Sequence, residues 1–196
     1  MSRPNDCVVP LEFDPVIKLL HWLTLFLIVT VFGLAFSIDR VPAAEKVFVL
    51  QLHRSVGLTI WVVTVGRLVW RQFTRFPNWP ADMSLAMRAV TNASENLLYA
   101  LLLIQPVLGL IHTNAHGDRV NLFFLGTLPA VTGPDRAFAR QIHEFHEMVG
   151  YALLGLIGLH AASGLYHHFW RRDHTLTAML PSGITLATKQ EQRVTG

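Results

Sequence analysis

The sequence predicts an all-α integral membrane protein, a four-helix bundle with both termini in the cytoplasm. Three observations point there. Only 15% of the 196 residues are charged and 52% are hydrophobic, whereas a soluble domain carries about a quarter charged residues. The apolar residues fall in four long blocks instead of alternating. Of the 16 Lys and Arg residues, ten fall on the side of the N-terminus and six on the other, the bias of cytoplasmic segments. The same composition argues against a soluble enzyme, a disordered chain and a disulfide scaffold. A lone Cys7 makes no internal bridge, iron–sulfur cluster or CxxCH haem attachment. The basic residues sit between apolar blocks, so the sequence pI of about 9.4 reflects membrane orientation and not nucleic-acid binding.

A bilayer crossing takes roughly 20 residues at a rise of about 1.5 Å each. The first block, about residues 16–38, meets that length and is too long for the apolar part of a secretory signal. The second runs over about 52–70 and the third over about 96–113, with Pro106 as a kink. The fourth covers about 148–170. Residues 1–15 then form an N-terminal cytoplasmic segment, 16–170 the bundle, and 171–196 a polar cytoplasmic tail. The first connection, 39–51, is short; the second holds Phe76-Pro77-Asn78-Trp79-Pro80. The longest, 114–147, contains the apolar stretch NLFFLGTL at 121–128, too short to span and read as a loop or interfacial segment. The tryptophans cluster near the span ends, as expected of an aromatic belt.

Ten histidines are many for so apolar a chain, and ionisable residues inside spans are costly and usually functional. His146 and His160 are 14 residues apart on the fourth span, almost four helical turns, so they share a face about 21 Å apart along the axis. With alternating span directions, His53 lies at the outer depth of His146, and His21 at the inner depth of His160. Any one of these histidines could merely hydrogen-bond a neighbour. Two depth-matched pairs instead suit a metal centre of facing imidazoles, and within a membrane that means a b-type haem. A bare zinc site would want a third or fourth ligand.

Gly57, Gly150 and Gly164 each follow a candidate ligand by four residues, leaving room for a macrocycle beside His53, His146 and His160; Leu25 takes that place after His21. Glycine is also common wherever membrane helices touch. Arg67, 14 residues after His53, reaches the inner depth, either to pair with a haem propionate or to snorkel to headgroups. His167, seven residues after His160, shares its face and either approaches a propionate or quinone headgroup or is solvated at the interface. His143 is a fallback ligand placed above the membrane boundary; His112 and His116 are expected at the surface, and His174 in the tail.

Several stretches resemble the bacterial cytochrome b561 family, related to b-type subunits of hydrogenases and formate dehydrogenases. They are Leu20-His21-Trp22-Leu23, Leu52-His53-Arg54-Ser55-Val56-Gly57, Pro106-Val107-Leu108-Gly109-Leu110, and His146-Glu147 followed by Leu159-His160-Ala161. The end, His167-His168-Phe169 with Asp173 and then Thr175-Leu176-Thr177-Ala178-Met179-Leu180, is similar too. The resemblance covers about residues 15–181. It implies two haem b groups, each with two histidine ligands (His21, His53, His146 and His160), in the bacterial inner membrane, exchanging electrons with quinone. Some members oxidise superoxide and reduce ubiquinone. Glu95 departs from the family by standing where relatives carry histidine, which removes helix 3 as a ligand source.

The expectation is therefore a di-haem electron carrier, with Arg54, Arg119, Arg136 and Arg140 on the outer side able to steer an anionic donor such as superoxide. Its partners would be membrane lipid, a quinone and a donor that is either superoxide or a redox protein. A haem-bearing anchor subunit that relays electrons from a separate dehydrogenase or hydrogenase fits the same residues. A histidine-based metal transporter is the remaining alternative.

Overall fold

Four helices long and apolar enough to cross a membrane make up the computed structural model of the chain, which describes residues 13–74, 83–172 and 175–180. Cys7, the stretch around Trp79, His174 and the polar tail beyond 180 lie outside the described residues. Helix α1 spans Pro15–Ser37. Its start is fixed by proline at the first position, where the missing N–H is not needed. Asp14 caps it, accepting from the Val16 and Ile17 amides at 2.9 and 3.3 Å. Helix α2, Ala43–Arg71, follows after a short turn. Helix α3, Leu85–Ala115, is capped by Ser84 and runs through Pro106. Helix α4, Arg136–Tyr166, is capped by Asp135, whose side chain accepts from Ala137 and Phe138. It then passes into a π-helical turn, His167–Arg171, closed by Arg172 in the left-handed conformation at φ 55°. A short α5, Thr175–Met179, folds back on α4, and the Met179 carbonyl accepts from Trp22 Nε1 at 2.8 Å.

The helices are longer than the apolar blocks. Helix α4 begins at residue 136 and not near 148, and α2 begins at 43 and not 52. The added turns carry charged and polar residues, which hydropathy passes over but caps and helical periodicity accommodate. The stretch at 121–128 is a hairpin. Strand β1, Asn121–Leu122, pairs with β2, Gly126–Thr127. Phe123 and Phe124 at the turn both take positive φ, 48° and 63°, as both central residues of a type I′ turn must. The hairpin is tied to α2. Gln51 donates to the Arg119 carbonyl and accepts from the Asn121 amide, and Ser55 Oγ accepts from the Phe123 amide.

Helix α1 packs on α2, α2 on α3 and α3 on α4. The cluster at the middle takes one face from each: Ile28, Val56 with Ile60, Leu102 and Leu153. The opposite faces stay bare. Leu19, Phe26, Val62, Ile104 and Leu159 are all exposed, an apolar surface that lipid covers in a spanning protein.

Candidate metal centres

Two histidine pairs stand at opposite ends of the bundle. At the hairpin end, His53 of α2 faces His146 of α4 with ring centres 6.3 Å apart and planes at 78°. At the α5 end, His21 of α1 faces His160 of α4 at 6.4 Å and 51°. Neither α1 nor α2 packs closely on α4. Each pair thus reaches across a gap between helices that their other neighbours hold apart.

The separation fits one metal ion shared between two rings. An imidazole nitrogen lies about 1.1 Å from its ring centre and a metal–imidazole bond measures about 2.0–2.1 Å, so rings on opposite sides of one ion stand about 6.2–6.4 Å apart. Among the described residues no group of three or more His, Cys, Asp or Glu side chains could hold an ion. Two facing histidines per site would suit a haem, which brings its remaining ligands with it.

Polar atoms around the pairs support the same occupant. His53 Nδ1–H donates to the Val31 carbonyl at 3.1 Å, fixing the tautomer that leaves Nε2 free to bind a metal. His21 Nδ1 and His146 Nδ1 are buried without such a partner, so the carbonyl contact that orients His53 has no counterpart at these two rings. A cavity of about 670 Å³ opens beside His53 and His146, within the about 300–1,000 Å³ of cofactor sites. Aliphatic residues of the central cluster, Ile28, Ile60, Leu102 and Leu153, line it together with His112, His116 and His143.

The glycines singled out by spacing do different things. Gly57 lines the cavity with nothing within 4 Å of the place a Cβ would occupy. Gly150 also lines it but meets Gln105 Nε2 at 3.1 Å, while Gly164 meets Leu176 of α5 at 4.0 Å. Sequence spacing missed Gly109. A Cβ there would lie 3.2 Å from His146 Cε1, so glycine lets α3 approach the ring. One turn before Gly109, Gln105 Nε2 donates to the His146 carbonyl at 2.8 Å. Neither was recoverable from i+4 spacing, because both lie on a different helix from the histidine they touch.

At the α5 end Arg67 projects from α2, fourteen residues after His53. Its guanidinium sits 5.4 Å from the Tyr99 ring centre, and its Nε is buried without a partner. Glu95 forms an ion pair with Arg71 at 3.6 Å. His167 opens the π-helical turn and packs edge-on against Tyr166. At the hairpin end Arg54, only 9% exposed, is paired with Asp118 at 3.1 Å, while Arg119, Arg136 and Arg140 are exposed, as is Arg40 at the rim of the cavity. His112, expected at the surface, is half-buried and faces His143 with ring centres 5.0 Å apart.

Known proteins are similar across nearly the whole chain. The pattern of the prokaryotic cytochrome b561 family matches residues 12–182. Cytochrome b561 homolog 1 of Escherichia coli (strain K12) is 27% identical over 167 residues, 83% of this chain and 93% of the relative. Cytochrome b561 homolog 2 of the same organism is 24% identical over 173 residues, 87% and 92% of the two chains. The probable superoxide oxidase CybB of Yersinia pestis is 24% identical over 164 residues, 83% and 92%.

Proposed function

Because this chain belongs to the prokaryotic cytochrome b561 family, whose members carry haem and transfer electrons in the membrane, we propose that it is a di-haem b cytochrome passing electrons between its two histidine levels and a quinone. The supporting observation is the pair of equal separations, 6.3 and 6.4 Å, at levels about 21 Å apart by helix rise. His53 and His146 would hold one haem b, and His21 and His160 the other. Bound haem supplies a one-electron couple at each level.

The chain's own residues do the rest. With two histidines holding each haem, the iron would carry electrons and not activate oxygen. The Val31 carbonyl orients His53, and the Gln105 side chain holds the backbone of His146. Arg67 would neutralise a propionate at the α5 end, a role supported by its buried Nε without a partner. His167, at the same end, is placed for a propionate or a quinone headgroup. Superoxide is the donor proposed at the hairpin end, drawn by Arg119, Arg136 and Arg140, and ubiquinone the acceptor. The positive-inside bias sets the α5 end and both termini towards the cytoplasm of the bacterial inner membrane.

The test is His146→Leu and His160→Leu, each expected to halve the haem content and abolish a different component of the redox titration. Retention of both haems in either variant refutes the ligand assignment. Superoxide-driven ubiquinone reduction by the purified wild type alone tests the donor; reduction that needs an added dehydrogenase would identify an anchor subunit.

A further inference from the structure

His112 and His143 meet where the last turns of α3 pack against the first turns of α4. Their ring centres are 5.0 Å apart with planes at 36°. That spacing differs from the 6.3 and 6.4 Å of the other two pairs, and the difference has a geometric meaning. Two rings on opposite sides of one ion stand about 6.2–6.4 Å apart, while two rings at a tetrahedral angle around one ion stand about 5.1 Å apart. We propose that His112 and His143 bind a divalent transition-metal cation, Zn²⁺ or Cu²⁺, at the rim of the cavity beside His53 and His146.

Imidazole is a preferred ligand of both ions. The two side chains project from packed helices, so little ordering is needed on binding. His143 is exposed and His112 half-buried, so an aqueous ion reaches them without crossing the apolar part of the cavity. His116 faces Asp118 at 3.7 Å, and among the described residues no three-residue group of His, Cys, Asp or Glu could hold an ion, so His116 is left outside the coordination sphere and water completes it. Two imidazoles and water make a solvent-exchanging site, weaker than a structural zinc centre with its three or four protein ligands. The proposal rests on the reading above only in that a group held by His53 and His146 leaves this rim of their shared cavity open.

The test uses the tag-free, detergent-purified full chain with its native cofactor content. Calorimetric titration with ZnCl₂ should give one saturable site, and Cu²⁺ should show an electron paramagnetic resonance signal coupled to two nitrogens. His112→Ala and His143→Ala should each weaken Zn²⁺ binding at least about ten-fold, while His116→Ala changes it by less than about two-fold. The visible spectrum of every variant should match the wild type, which shows that the bundle and its centres are intact. Absence of saturable binding, or binding indifferent to both variants, overturns the site. So does a loss in His116→Ala as large as in the other two. A visible band lost in His143→Ala would also overturn it, making His143 part of the His53–His146 centre instead.

Discussion

Gly109 offers the sharpest separation of one centre from the other. Replacing it with alanine puts a Cβ 3.2 Å from Cε1 and 3.6 Å from Nδ1 of His146. Relaxed carbon contacts lie at about 3.5–4.0 Å, so the ring must yield by a few tenths of an ångström. It has little freedom to do so, because its backbone carbonyl is held by Gln105 at 2.8 Å. Overpacking of this kind costs about 1–3 kcal/mol, while the helix gains up to about 1 kcal/mol from exchanging glycine for alanine. The two effects oppose each other in overall stability but not at the centre. There the overpacking corresponds to a roughly 5- to 150-fold weaker hold on the bound group. A redox titration with parallel haem quantification reads this directly. Gly109→Ala should weaken or shift one of two b-type components and leave the other alone, with thermal stability little changed, and Gly109→Val should go further. If both components change together, or neither changes, the contact does not govern the His53–His146 centre.

Leu153→Ala removes the α4 member of the central cluster, a residue only 3% exposed. It should cost about 2–5 kcal/mol, seen as a lower melting temperature in detergent with both spectral components retained; an unchanged melt would place the core elsewhere. Arg67→Gln removes a positive charge near His21 and His160. Loss of a nearby cation relieves the oxidised form relative to the reduced form, so one component's midpoint potential should fall while the other stays put; equal shifts in both would contradict the placement. The Trp70 N–H, and after it the Ile17 and Val16 amides, hold the Asp14 carboxyl below its usual range against some opposing desolvation. Its contribution is therefore present above the unfolded carboxylate value of about 3.9 and lost as pH falls through the lower folded value. Tryptophan fluorescence should show this acid transition in the wild type and not in Asp14→Ala; identical titrations would sever the Asp14–Trp70 link.

Much of the architecture is legible because a membrane demands uninterrupted apolar blocks, and helix rise then converts the spacing of His146 and His160 into depth. The proximity of His53 to His146 and of His21 to His160 follows from that depth and from alternating helix direction. What escapes are features that hydropathy does not weigh. The first three turns of α4, through Arg136, Arg140 and Glu144, are polar and read as loop; His143 therefore lost its helical partner His112. Phe123 and Phe124 occupy turn positions that Asn and Gly normally fill, so the hairpin left no turn signature. Gly109 and Gln105 act across an interhelical contact, which spacing within one helix cannot register. The ion pair of Arg71 with Glu95 belongs to the same class, since its partners lie on α2 and α3.

The central cluster has an electrical consequence. Leu153 lies seven residues from His146 and seven from His160, and Ile28, Val56, Ile60 and Leu102 complete a layer without a hydrogen-bonding side chain. None of these five side chains can relay a proton, whereas an electron needs no relay. A charge moved between the two histidine levels would traverse about 21 Å of a hydrocarbon core about 30 Å thick. The transmembrane voltage then contributes about 1.6 kcal/mol per 100 mV, roughly a 15-fold change in how the electron divides between the two ends. Two histidine levels set apart by this apolar cluster would thus make the direction of electron flow responsive to the energised state of the cell.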